Sequence, residues 1–126
     1  MVKRQLQPRQ VARSYKEVEL AGRYGIDVLV LIYETLVAQF RRAVIGIESG
    51  DVSVRNEAVK HAIDLMGDLR YGLDLEGSSD LGLQLEKFYL QATRKLLVAH
   101  RHADAMRFRE LETEFLAVLE VWKTKL

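Results

Sequence analysis

The chain has 126 residues, a length that points to a single domain able to bury a core without covalent staples. Hydrophobic residues make up 48% and charged residues 29%, which excludes a disordered chain, and the absence of cysteine excludes disulfides and thiolate metal sites and fits a reducing compartment. A formal net charge of +1 gives no global attraction to nucleic acid, no apolar run reaches the ~20 residues that cross a bilayer, and no secretory leader is apparent, so a cytoplasmic protein is expected, with no nucleic acid partner and no membrane insertion.

Residues 1–25 read as a basic, flexible N-terminal segment. Lys3, Arg4, Arg9, Arg13 and Lys16 all precede the first acid, Glu17, and the single proline is Pro8. Such a tail suits nucleic acid or an acidic surface, or is simply a solvated terminus. Residues 13–20 have the pattern of one short helical turn. From there on apolar residues recur at helical spacing and strand signals are missing. Asp27 is the expected N-cap of helix one, which runs to about Ser49. Gly50 and Asp51 make a turn. Helix two opens near Ser53 and fades after Leu73. Residues 74–80 form the clearest loop. Helix three spans 80–101, and helix four opens on Asp104 as its cap and ends near Lys125. Short connections make successive helices antiparallel neighbours. The expected fold is all-α: an antiparallel four-helix bundle over residues 26–126, with a short mobile segment before it.

Each helix carries an apolar stripe. Helix one has Leu29, Ile32, Leu36, Phe40, Ala43 and Ile47; helix two has Ala58, Ala62, Met66, Leu69 and Leu73. Helix three has Leu81, Leu85, Phe88, Ala92, Leu96 and Ala99; helix four has Phe108, Leu111, Phe115, Val118, Leu119 and Trp122. Four such stripes bury one another. Two further rows remain. Val30, Tyr33, Val37 and Val44 lie beside the core row of helix one, where contact with two neighbouring helices and contact with a partner are both open. Leu83, Leu90 and Leu97 recur every seven residues on helix three, nearly opposite Phe88 and Ala92. A contiguous apolar row of that kind suggests a client, a second copy of the chain, or the tail folded back. Helix-in-groove recognition would suit it.

The residues give no sign of catalysis. A di-metal bundle site needs Glu-x-x-His pairs, and none surrounds His61, His100 or His102. Gly77-Ser78-Ser79 lacks the lysine of a phosphate loop, no serine or threonine sits in a nucleophile motif, and Glu110, Glu112 and Glu114 read as a solvated face. No enzyme and no cofactor are expected.

The ordered set of residues resembles the flagellar secretion chaperone family, FliS, from about Tyr15 to Trp122. An N-terminal tyrosine is Tyr15. An acid, an apolar run and a tyrosine are Asp27-Val28-Leu29-Val30-Leu31-Ile32-Tyr33. Arg55-Asn56, Val59-Lys60-His61-Ala62-Ile63 and Leu69 follow on helix two. Leu73-Asp74-Leu75-Glu76-Gly77 echoes the family loop, and Phe88-Tyr89, Leu96, Ala99, Asp104 and Trp122 complete the set. The chain departs from the pattern at Gly25 (a proline in the family), Glu34-Thr35, Leu90 and His100. The resemblance implies a chaperone that binds the disordered C-terminal region of flagellin, prevents premature polymerisation and presents it to the flagellar type III export gate. By the same analogy Tyr15, Val18 and Leu20 would cap the groove and move when the client binds. The flagellin-binding residues expected are Tyr15, Val18, Leu20, Val30, Tyr33, Val37, Val44, Leu83, Leu90 and Leu97. The alternative is a self-associating helical scaffold or regulator, a homodimer built on the helix-three leucines.

Overall fold

The structure, a computed structural model, describes residues 24–73 and 80–125. The expected turn at 13–20, most of the N-terminal segment, the 74–79 loop and the side chain of Leu81 lie outside the described residues. Four helices follow in order: α1 (Ile26–Ser49), α2 (Val52–Tyr71), α3 (Asp80–Arg101) and α4 (Ala105–Lys123). They form the expected antiparallel bundle. α1 runs close along both α2 and α4, while α3 approaches α4 and α2 over much shorter stretches and lies diagonally across from α1.

Backbone chemistry sets the helix ends. The N-cap of α1 is Gly25, extended at φ −71° and ψ 167°, with no side-chain cap bond. The expected cap, Asp27, lies inside the first turn instead. There its carboxylate faces the positive end of the helix dipole, which favours an acid one residue or more past the cap. α1 stops at Gly50, whose φ of 71° is left-handed. The Asp51 amide then donates to the Gly46 carbonyl at 2.8 Å and the Gly50 amide to Ile47 at 3.3 Å, the two bonds of a Schellman stop. Asp51 is already the cap of α2: its Oδ1 accepts from the Val54 amide at 3.1 Å, so α2 opens at Val52, slightly ahead of Ser53.

The α3–α4 connection, at the same end of the bundle, repeats this construction. The Asp104 amide donates to Ala99 at 2.9 Å and the Ala103 amide to His100 at 3.2 Å. Asp104 then caps α4 by accepting from the Arg107 amide at 3.3 Å, as its position before the apolar run implied. Here the left-handed position holds Ala103, at φ 47°, where a Cβ is strained.

Gly46 shows why α1 and α2 come so close. A Cβ on it would stand 2.8 Å from the Arg55 amide nitrogen and 3.0 Å from the Asp51 carbonyl, so only a bare backbone fits that crossing. At the other end the ring of Tyr24 lies on Gly72, leaving no room for a Cβ, and the Tyr24 hydroxyl donates to the Asp68 carbonyl at 3.0 Å. The chain therefore enters the bundle pinned to the last turn of α2.

The core is large and aromatic at its centre. Tyr33 of α1 packs against Phe115 and Trp122 of α4 and Tyr89 of α3, with ring centroids 5.4, 6.0 and 6.4 Å away. The hydroxyls of Tyr33 and Tyr89 share a buried hydrogen bond of 2.8 Å, so the polar tips satisfy each other away from water. Phe88 stacks on Phe115 at 5.0 Å and Phe40 meets the same ring edge-on at 5.4 Å. These bulky rings hold α3 at a distance from its diagonal partner.

Candidate functional site

The expected partner rows separate sharply in the structure. On α1, Val30, Tyr33, Val37 and Val44 are buried, Tyr33 completely. These four are core, and their placement on a partner surface is corrected. The reason is geometric: α1 packs along α2 and α4 at once, so its buried arc takes in most of both rows, and the apolar side chains it leaves exposed are others, Val28, Leu31 and Ile45. Ion pairs seal the α1–α4 seam outside it, with Arg41–Glu112 at 2.9 Å, Arg109–Glu48 at 2.7 Å and Lys123–Glu34 at 3.8 Å. Tyr15, Val18 and Leu20 lie outside the described residues.

The α3 row behaves differently. Leu83 is 50% exposed and Leu97 47%, with Leu90 half-buried between them. Its position follows from one contact. Glu86 reaches Arg70 of α2 at 4.0 Å, which marks the α2-facing edge of α3. Leu90 and Leu97 follow Glu86 by four and eleven residues and so continue that edge. On α2 the matching edge is Ile63, Gly67 and Arg70, again at helical spacing. Ile63 is half-buried against the core. A Cβ on Gly67 would meet nothing within 4 Å, so the glycine leaves a notch in the α2 wall. By this spacing Ile63, Leu90 and Leu97, continued by Leu83, form an apolar strip along the α2/α3 seam, called the groove below.

Polar groups along this seam are poorly satisfied. At its far end Arg55 Nε and His100 Nδ1 are buried without a hydrogen-bond partner among the described residues. Burial, and secondarily the nearby Arg55 guanidinium, hold the His100 imidazole below its ordinary pKa, favouring the neutral ring.

Other surface features offer less. A wide depression of about 470 Å³ lies over Met106, Arg109, Glu110, Thr113 and Glu114, and a crevice of about 70 Å³ separates Lys95 from Arg107, Glu110, Leu111 and Glu114. Both are lined mostly by charged side chains. Among the described residues no three His, Cys, Asp or Glu side chains gather as a metal cluster, and no helix is long and apolar enough to cross a membrane.

The Tyr33–Tyr89 hydroxyl pair was invisible in the sequence, because the partners are 56 residues apart and on diagonal helices. The Gly67 notch was readable only as an interruption of an α2 face, and the Tyr24–Gly72 contact left no periodic signal at all.

Comparison with known proteins accounts for this arrangement of helices. The family model described as flagellar protein FliS matches residues 8–125. The chain belongs to the FliS family. It is also 29% identical over 98 residues to the flagellar secretion chaperone FliS of Salmonella typhimurium strain LT2, a match covering 77% of this chain and 73% of that relative. The matched span of the family model takes in the whole described bundle of this FliS-family chain, including both walls of the groove.

Proposed function

We propose that this FliS-family chain is a flagellar export chaperone. It binds the disordered C-terminal region of flagellin in the cytosol, prevents premature polymerisation, and presents the client to the flagellar type III export apparatus. The observation that carries this reading is the leucine row of α3 beside α2, exposed or half-buried at three positions in register, whereas the second apolar row of α1 is buried. A disordered segment that folds as an amphipathic helix along the groove would bury those leucines, and apolar burial at ~25 cal/mol per Å² offsets part of its ordering cost. The reading involves no catalytic step and no cofactor.

The N-terminal segment fits the same scheme. Tyr24 fixes the point of entry at the end of α2, next to the start of the groove. Tyr15, Val18 and Leu20, upstream of Tyr24 in the sequence, act in this reading as a plug that the client displaces.

Isothermal calorimetry of the full chain with the C-terminal segment of the flagellin from its own genome tests this. Binding at about micromolar affinity or better, with a negative heat-capacity change, is expected. Leu97→Glu should weaken it at least tenfold while moving stability by less than ~1 kcal/mol, since the side chain is half-exposed. Absence of binding by the unmodified chain would refute the assignment.

A further inference from the structure

The outer surface of α3 carries a second row that client binding by apolar burial alone does not use. Lys87, Arg94 and Arg101 recur every seven residues, each four residues after one of the leucines Leu83, Leu90 and Leu97. On a helix that offset stacks each cation one turn from its leucine, so a basic row runs parallel to the apolar one. All three cations are exposed. None forms an ion pair among the described residues, whereas Arg41, Arg42, Arg70, Lys95, Arg107, Arg109 and Lys123 each meet a carboxylate within 4.0 Å. The two acids of α3 do not neutralise the row: Asp80 sits in the first turn and Glu86 is turned to Arg70.

We propose that this face selects an acidic amphipathic helix, whose apolar side lies on Leu83, Leu90 and Leu97 and whose carboxylates pair with Lys87, Arg94 and Arg101. The inference rests on the client-binding reading and adds the partner's charge to it. Charge also decides between the occupants. The chain's own N-terminal segment, the plug proposed above, carries Lys3, Arg4, Arg9, Arg13, Lys16 and Arg23 against only Glu17 and Glu19, so like charges hold it weakly and an acidic client displaces it. A second copy presenting its own α3 would set two basic rows face to face, which disfavours a dimer built on these leucines. A second copy presenting α4 would offer Glu112 and Glu114, already engaged by Arg41 and Lys95, and would bring only Glu110 of that row without an ion pair among the described residues, too little acid for three cations. A lipid surface is less suited than a helix, because Leu90, at the centre of the row, is half-buried beside α2 and does not stand clear of the bundle. A foreign segment with its own unpaired acids satisfies both rows together.

The test uses the full chain and the flagellin C-terminal segment in stopped-flow binding across a salt series. The expected result for the unmodified chain is an association rate that falls as salt rises, as steering by unpaired cations requires. Replacing Lys87, Arg94 and Arg101 together by Glu should lower that rate at least tenfold at low salt and flatten or invert its salt dependence. A segment whose acids are replaced by lysine should then bind this variant better than it binds the unmodified chain. Arg94→Gln alone, a milder change on an exposed site, should give a reduced salt slope even where the triple variant fails to fold. If the unmodified chain binds the segment and Arg94→Gln and the triple variant leave rate and slope unchanged, the acidic-partner inference falls and client binding stands. If the unmodified chain does not bind the segment, both fall. Loss of binding to phosphatidylserine vesicles in the variants, with flagellin binding unaffected, would reassign the row to a membrane surface and overturn the proposal.

Discussion

α1 and α3 have almost the same length and lie diagonally across one core, yet they are built for different ends. α1 is closed on both sides. Gly46 lets its backbone touch α2, Tyr33 anchors the aromatic centre, and three ion pairs tie it to α4. α3 is open. Large rings separate it from α1, the half-exposed leucines border its seam with α2, and buried nitrogens of Arg55 and His100 have no hydrogen-bond partner there among the described residues. The difference teaches that apolar surplus alone does not mark a binding surface. A helix with two close neighbours buries a second apolar row beside its core row, as α1 does with Val30, Tyr33, Val37 and Val44; a helix in looser contact with its neighbours leaves such a row partly open.

The comparison breaks most readily at Tyr33. Truncating this fully buried ring to alanine removes four aromatic and hydroxyl contacts at once and should cost about 3–5 kcal/mol, read as a large drop in urea midpoint. A small cost would mean that α1 is less closed than its burial indicates. Gly46→Val comes next. It drives a side chain into the Arg55 backbone, and separating α1 from α2 should cost about 1–3 kcal/mol with the same readout.

Ala103→Gly works in the opposite direction. The residue sits at φ 47° in a turn whose counterpart, Gly50, already has the residue that relieves strain, so the melting temperature should rise, by up to about 1 kcal/mol of stability. The smallest effect is pH dependence at the open seam. The folded pKa of His100 is depressed, so between that value and the ordinary 6.5 the unfolded chain binds more protons. Stability from this group is therefore full above 6.5 and is lost as pH falls through the folded pKa. Melting curves from pH 7.5 down to pH 5 should show a decline that His100→Asn reduces; an identical decline in the variant would remove His100 from the account.

The four helices were legible because nothing competed with the local signals. Proline is absent after Pro8, Asp104 stands before an apolar run, and Gly50 closes another. The misassigned cap at Asp27 shows the limit of that chemistry, since an acid serves a helix start both as a cap and inside the first turn. For the site, the α3 leucines were readable because their seven-residue spacing sets them away from Phe88 and Ala92. The α1 row was not, because periodicity measures the width of an apolar face and carries nothing about whether a neighbouring helix or a foreign chain covers it. The basic row beside the leucines acquired meaning only once the ion pairs of seven other cations were known.

Methyl NMR of the full chain titrated with the flagellin C-terminal segment reads both helices in one experiment. The methyls of Leu83, Leu90, Leu97 and Ile63 should shift strongly, while those of Val30, Val37 and Val44 stay near their unbound positions. Large shifts confined to the α1 valines, with the α3 leucines unmoved, would contradict the division of labour between the two helices.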